Sequence, residues 1–223
     1  YREAARYRFM RVMRIAIHPA CQHLGLGSQC ISALTAYYRD HADFLGCSFA
    51  ATPEVLRFWR KQGWQAVRLG LSKDMATGCH AAVLLTGLQP ESEAQLVFWQ
   101  QQFQQQLPVW LAHLLSELAC DIILPLLQSS HAMSLTQQEL ADLTAFSDHH
   151  RSADHCWPAV LRLMQVSAEK LSQLPQTQSA ILIQRFWQGK SWGWLAQQHQ
   201  LTGQKAVIQQ LRLAVKKLLS LPG

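Results

Sequence analysis

The sequence has no Cys-x-x-Cys pair. Its six cysteines, Cys21, Cys30, Cys47, Cys79, Cys120 and Cys156, stand singly. That removes zinc-ribbon and dithiol motifs and reads as reduced, mostly buried thiols of a cytoplasmic protein rather than a disulfide framework. There is no apolar run of membrane-spanning length: the greasiest stretch, residues 111–127, is interrupted by Glu117, Asp121 and Pro125, so no membrane partner is expected. Residues 1–14 are rich in arginine rather than apolar, so they are not expected to act as a secretory leader. Charged residues are few, 15% against 49% hydrophobic with eight tryptophans. This excludes a disordered chain and leaves 223 residues with apolar material for one large or two small domains.

What charge there is lies unevenly. The net charge is +6, with Arg2, Arg6, Arg8, Arg11 and Arg14 crowding the start. From Glu91 to Asp154 the chain is acidic, with Arg151 its one Lys or Arg, and beyond Glu169 no carboxylate side chain follows at all. A basic tail beside an acidic middle points to one polyanion-facing surface; a solvated basic helix is the plainer reading of the same residues.

Residues 11–17 (RVMRIAI) mix β-branched and apolar residues and stop at His18-Pro19, which predicts a strand ended by proline. Residues 26–38 carry Leu26, Cys30, Leu34 and Tyr38 at helical spacing. Residues 43–50 read as a second buried strand. Thr52-Pro53-Glu54 opens a helix that runs to Lys61 or Gln62 and stops at Gly63. Residues 64–71 and 79–87 are two further strand candidates. At Gln89-Pro90 the texture changes to helix throughout, with stripes at Leu96, Trp99, Phe103 and Leu107 and at Leu111, Leu114, Leu118 and Ile122. Further helices are expected over 135–146, 157–171, 177–187, 192–198 and 205–219. The predicted fold is therefore α/β over residues 1–89, followed by an all-α tail over residues 90–223.

Between the first strand and the first helix lies Gln22-His23-Leu24-Gly25-Leu26-Gly27. Two glycines allow a tight turn and close approach of a ligand to the main chain. The unpaired N–H groups that open the next helix, at the positive end of its dipole, suit a diphosphate. A G-x-G turn alone is weak evidence. A dinucleotide fingerprint fits poorly because Cys30 stands where a third glycine is required, and no Gly-Lys-Ser/Thr follows for a Walker loop. The segment Asp148, His149, His150, Asp154, His155 holds metal-ligand types at irregular spacing without an H-E-x-x-H pattern; it reads as a polar loop, and no metal is expected.

Q-x-x-G-x-G after a strand ending I-A-I-H-P resembles the acetyl-CoA diphosphate loop of the GNAT acetyltransferase superfamily. At closer range R-I-A-I-H-P (14–19), D-F-L-G-C-S-F-A-A-T-P-E (43–54) and L-R-F-W-R-K-Q-G (56–63) resemble the tRNA(Met) cytidine acetyltransferase family. The resemblance covers residues 11–86 by motif and the tail by architecture. It implies a partial GNAT-like mixed sheet with acetyl-CoA in the wedge between the 11–17 and 43–50 strands. Backbone groups of Ile15, Ala16 and Ile17 would pair with the pantetheine arm. Gln22, His23, Leu24, Gly25, Leu26, Gly27 and Ser28 would hold the diphosphate, with Glu54 and Arg60 near the other side of the cofactor. The acceptor it implies is the exocyclic N4 amine of a cytidine in the elongator methionine tRNA anticodon. A conjugated amine is a poor nucleophile, so orientation must supply much of the rate. A base is needed for its proton: His18, at the strand end, is the candidate, and termination of the strand is its structural alternative. Trp59 stands where many of these enzymes place a tyrosine acid.

In the tail, Lys205, Gln209, Arg212 and Lys216 share one face of the last helix, opposite Ile208, Leu211, Val215 and Leu218. Phe186-Trp187, Lys190, Trp192 and Trp194 interleave aromatic and basic groups just before it, and the tryptophans read first as core and second as stacking platforms. Lys190, Lys205, Arg212 and Lys216 are the expected RNA contacts. Residues 180–219 also resemble a helix-turn-helix with its turn at Leu201-Thr202-Gly203. The family pattern further implies an upstream helicase module using ATP or GTP, outside this chain, so that these residues are the C-terminal part of a longer, monomeric enzyme. A GNAT enzyme acting on protein or small amines, and a non-catalytic nucleic-acid module, are the alternative functions.

Overall fold

Strands form where the residues that favour a pleated, half-buried surface collect: β1 Phe9–Val12, β2 Phe44–Ala50, β3 Gln65–Lys73 and β4 His80–Gly87. The computed structural model describes residues 2–127 and 134–221. The strands build one mixed sheet in the order β1-β2-β4-β3, with β1 parallel to β2 and the other two pairings antiparallel. Helix α1, Leu26–Tyr38, connects β1 to β2, and α2, Pro53–Lys61, connects β2 to β3. Thr52 caps α2, its Oγ1 accepting from the Val55 N–H at 3.4 Å, with Pro53 in the first turn.

The first strand is shorter and earlier than its β-branched run predicts. Asp43 sets the register: its carboxylate accepts from the Arg8 N–H at 2.6 Å, and its own N–H donates to the Arg8 carbonyl at 2.9 Å. Pairing then runs from Phe9 opposite Phe44 to Val12 opposite Cys47 and ends. Residues 13–18 leave the sheet, while residues 48–50 of β2 continue against β4. The Ile15-Ala16-Ile17 run that reads as strand is the segment that has peeled away.

The described chain divides into two compact units, Tyr1–Gln105 and Gln106–Gly223, within helix α3, Pro90–His113. In the first unit Phe44, Val67 and Leu85 on one face of the sheet bury against Leu96 and Trp99 of α3, with Tyr7 edge-on to Phe44 and Trp99. Alternation puts Phe49 on the other face, where it stacks on Trp59 of α2; Trp59 in turn meets Trp64 at 4.5 Å between ring centroids.

The second unit is helical: α4 Cys120–Leu126, α5 Gln137–Ser147, α6 Trp157–Val166, α7 Gln176–Leu182, a π turn Ile183–Trp187, α8 Trp192–Gln198 and α9 Gln204–Ser220. Helix α9 buries Val207, Leu211, Ala214, Val215 and Leu218 against α5, α7 and α8. The expected stripe over 111–122 does not persist as one helix. Helix α3 ends at His113 and α4 begins at Cys120, so Leu111, Leu115, Leu118 and Ile123 are the buried positions and Leu114 is 61% exposed. Of the six cysteines, all free, Cys47 and Cys156 are buried and Cys30 is exposed. Burial lifts the Cys47 thiol to about 12, which makes it an inert core group. Among the described residues no helix is long and apolar enough to cross a membrane.

Candidate functional site

Where residues 13–18 leave the sheet, they form one wall of a cleft of about 590 Å³, within the range of small-molecule sites. Ile15 and Ile17 line it from the peeled segment. A short 3-10 turn, Pro19–Cys21, follows, and the loop residues Gln22 and His23 line the cleft after it. The side chain of Gln22 folds back, its Nε2 donating to the Ile17 carbonyl at 3.1 Å. His23 takes a positive φ of 62°.

The floor is the start of α1. Gly25 is its N-cap, at φ +80°, a backbone conformation costly for any residue with a Cβ. It brings no side chain to cap the helix, and the first intrahelical donor along this turn is the Gln29 N–H, bonded to the Gly25 carbonyl at 3.0 Å. The N–H groups of Leu26, Gly27 and Ser28 therefore open α1 at its positive end, and Gly25, Leu26, Gly27 and Ser28 all line the cleft. Gly27 serves another purpose: a Cβ there would lie 3.2 and 3.3 Å from the Phe58 ring, so its bareness lets α1 approach α2.

Helix α2 supplies the far wall through Glu54, Val55, Phe58, Lys61 and Gln62. These positions recur on one helical face. Gln62 ties the two helices together, its Nε2 donating to the Ser28 Oγ at 2.9 Å. The cleft thus joins a row of helix-opening donors, the exposed ammonium of Lys61, the carboxylate of Glu54, and an apolar stretch of Ile15, Ile17, Val55 and Phe58. Such a set suits an elongated ligand with an anionic end and a less polar arm.

Of the residues singled out in the sequence, Ile15, Ile17, Gln22, His23, Gly25, Leu26, Gly27, Ser28 and Glu54 meet in this cleft. Ala16 and Leu24 are not on its lining, and Leu24 is 67% exposed. Arg60 lies on a different face of α2, its Nη1 donating to the Trp64 carbonyl at 3.2 Å. His18 caps the 3-10 turn, its Nδ1 accepting from the Ala20 N–H at 3.3 Å. Val55, Phe58 and Lys61 went unnoticed in the sequence, although their spacing from Glu54 would have placed them: i+1, i+4 and i+7 share its face and i+6 does not.

The basic residues of the tail are distributed differently. Lys190 pairs with Glu117, lowering that carboxyl below its usual range, and lies over the Trp194 ring at 5.0 Å. Arg212 sits over Phe146 at 5.2 Å and donates to the Arg151 carbonyl at 3.3 Å. Lys216 reaches Asp148 at 3.2 Å. Lys205 is exposed near the start of α9. Trp187 is 2% exposed and is core, whereas Trp192 is half-buried with the Arg185 guanidinium 4.1 Å from its ring centroid.

Comparison with known proteins adds the following. Residues 94–221 match the family described as tRNA-binding domain, and residues 39–89 match GNAT acetyltransferase 2. The chain is 30% identical to the tRNA(Met) cytidine acetyltransferase TmcA of Nitrosococcus halophilus (strain Nc4), over 97% of this chain and 30% of that protein. It is 31% identical to the protein of the same name from Vibrio cholerae serotype O1, over 97% and 29%. A shorter match, 43% identical over 33% of this chain and 10% of the relative, is to the Haloferax volcanii protein of that name. The chain thus spans about three tenths of the length of the curated relatives it matches along nearly its whole extent.

Proposed function

Because the chain belongs to the tRNA-binding domain family through residues 94–221 and carries a GNAT acetyltransferase match over residues 39–89, we propose that it is the C-terminal part of an enzyme that moves an acetyl group from acetyl-CoA to a cytidine of tRNA. The acceptor in this reading is the exocyclic N4 amine of a cytidine in the elongator methionine tRNA anticodon, giving N4-acetylcytidine. Nucleotide hydrolysis, with ATP or GTP, is assigned to a module outside these 223 residues, and the whole enzyme is read as a cytoplasmic monomer.

The observation that carries the reading is the start of α1, uncapped and led by Gly25 at φ +80°, lining an open cleft. The cleft fits the donor in chemistry. The N–H groups of Leu26, Gly27 and Ser28 would hold the diphosphate, with Lys61 adding a full positive charge. Ile15, Ile17, Val55 and Phe58 offer apolar contact for the pantetheine arm, and main-chain groups of residues 15–17, already free of the sheet, are proposed to pair with its amides. Acetyl-CoA supplies the activated acyl group. The protein's share is to hold it still against a weakly nucleophilic amine and to take a proton. His18 is the proposed base: it stands at the head of the turn that leads into the cleft, and accepting at Nδ1 would require release of the Ala20 N–H.

Calorimetric titration of the full-length enzyme with acetyl-CoA, followed by nucleoside analysis of tRNA after turnover, tests this. Binding is expected, with N4-acetylcytidine as product, and Gly25→Val should weaken acetyl-CoA binding by at least about tenfold, the equivalent of the strain and obstruction it introduces. Unaltered binding by that variant would remove the cleft from the reaction. Acetylation of peptides with none of RNA would move the assignment to an amine-acetylating enzyme.

A further inference from the structure

We propose that the tail holds RNA backbone in the groove between α7 and α9, with Lys216 and Lys217 as the phosphate contacts; this rests on the reading that the chain binds tRNA. The groove, about 430 Å³, is lined by Pro175 and Gln178 at the start of α7 and by Leu213, Lys216, Lys217 and Ser220 of α9. Both walls come from the part of the chain beyond Glu169, which contains no carboxylate side chain. Asp148, which is not on the lining, pairs with Lys216 at 3.2 Å, and both side chains are well exposed, Lys216 67% and Asp148 44%. An ion pair of that exposure is weak and yields readily to a phosphate.

Two of the other basic residues of the tail are committed elsewhere, while Lys205, exposed near the start of α9, is not on the lining of this groove. Lys190 has a side chain only 14% exposed and is clamped between Glu117 and Trp194. Arg212 is laid over Phe146 and bonded to the Arg151 carbonyl. At the groove the two lysines are both exposed, and between them and α7 lies apolar surface: Leu213 is 43% exposed, beside Pro175. Cations over an apolar floor match a sugar–phosphate chain, whose charge needs an ammonium and whose ribose face does not. One effect opposes this. The groove lies at the C-terminal end of α9, where the helix presents the equivalent of about half a negative charge. Two full positive charges outweigh it, and the dipole in turn favours lysines at that end.

The test uses the full-length enzyme with bulk deacylated tRNA as probe, between about 50 and 200 mM salt. Lys216→Ala/Lys217→Ala should reduce the slope of log affinity against log salt by about two, so that tRNA binding is weakened about tenfold at about 50 mM salt and the difference largely vanishes by about 200 mM. Acetyl-CoA affinity and thermal midpoint should stay unchanged, since both side chains are exposed. Asp148→Asn, which releases Lys216, should move tRNA affinity the other way. Wild-type binding retained in full by the double variant, with the same salt slope, overturns the groove while leaving tRNA binding standing. A wild-type enzyme that fails to bind tRNA overturns both, and would turn attention to an acidic protein segment as the occupant.

Discussion

Gly25 and Gly27 stand two residues apart in one loop and are required for unlike reasons. At Gly25 nothing lies within 4 Å of where a Cβ would be; the obstacle is the +80° φ. At Gly27 the backbone is ordinary and the obstacle is the Phe58 ring at 3.2 Å. The two substitutions therefore separate. Gly25→Ala should cost about 1–2 kcal/mol of strain that no neighbour can relieve. Gly27→Ala should cost a similar amount only while Phe58 is in place, because a ring must shift by a few tenths of an ångström. Pairing each with Phe58→Leu, with Phe58→Leu alone as the reference, tells them apart: in that background Gly27→Ala should no longer lower the thermal midpoint, while Gly25→Ala should lower it as before. Equal rescue of both, or of neither, would show that the turn and the α1–α2 approach are not distinct constraints.

At the scale of elements, the join between β1 and β2 hangs on one carboxylate. Asp43 accepts from the Arg8 N–H and from its guanidinium, and these hydrogen bonds hold its pKa below the ordinary carboxylate value. A carboxylate with a depressed folded-state pKa contributes stability that is present above its unfolded pKa, near 4, and is lost as pH falls through the lower folded value. Asp43→Asn should therefore reduce the thermal midpoint at neutral pH by about 2 °C. The gap to the parent should shrink as pH drops below 4 and close once the parent's Asp43 is itself protonated. A gap that did not vary with pH would mean that the geometry of the pair, and not its charge, sets the register. This same pair explains a limit on reading the sequence. Helices α1 and α2 are legible because periodicity and caps are local: the 26–38 spacing and the Thr52-Pro53-Glu54 signal both recur in the structure with close boundaries. The 11–17 run is not, because β-branched residues favour extended backbone whether or not they are paired, and the pairing with β2 ends at Val12 opposite Cys47 although β2 itself continues to Ala50. The far wall of the cleft was legible in principle from helical spacing alone, since Glu54, Phe58 and Lys61 share a face. The stripe over 111–122 misleads because a period continues on paper through the break between α3 and α4.

For the whole molecule, the change of texture at Gln89-Pro90 marks the start of α3, yet the compact units divide later, between Gln105 and Gln106. No local pattern could reveal this. A helical stripe looks the same whichever core it serves, and only the tertiary contacts show that Leu96 and Trp99 bury with Phe44, Val67 and Leu85 of the sheet. Each unit therefore carries its own buried core: Leu84 in the sheet of the first is fully buried, as is Ile181 in α7 of the second. Separate cores should unfold as independent sums. Leu84→Ala should cost about 2–5 kcal/mol and Ile181→Val about 1 kcal/mol. The double variant should cost their total to within about 0.5 kcal/mol, the margin for sites that share no partner. Denaturant melts of the four proteins, monitored by probes in each unit, measure the coupling directly. A coupling above about 1 kcal/mol would mean that α3 transmits the loss of packing from one core to the other, and that the helix is a structural member of both rather than a connection between them.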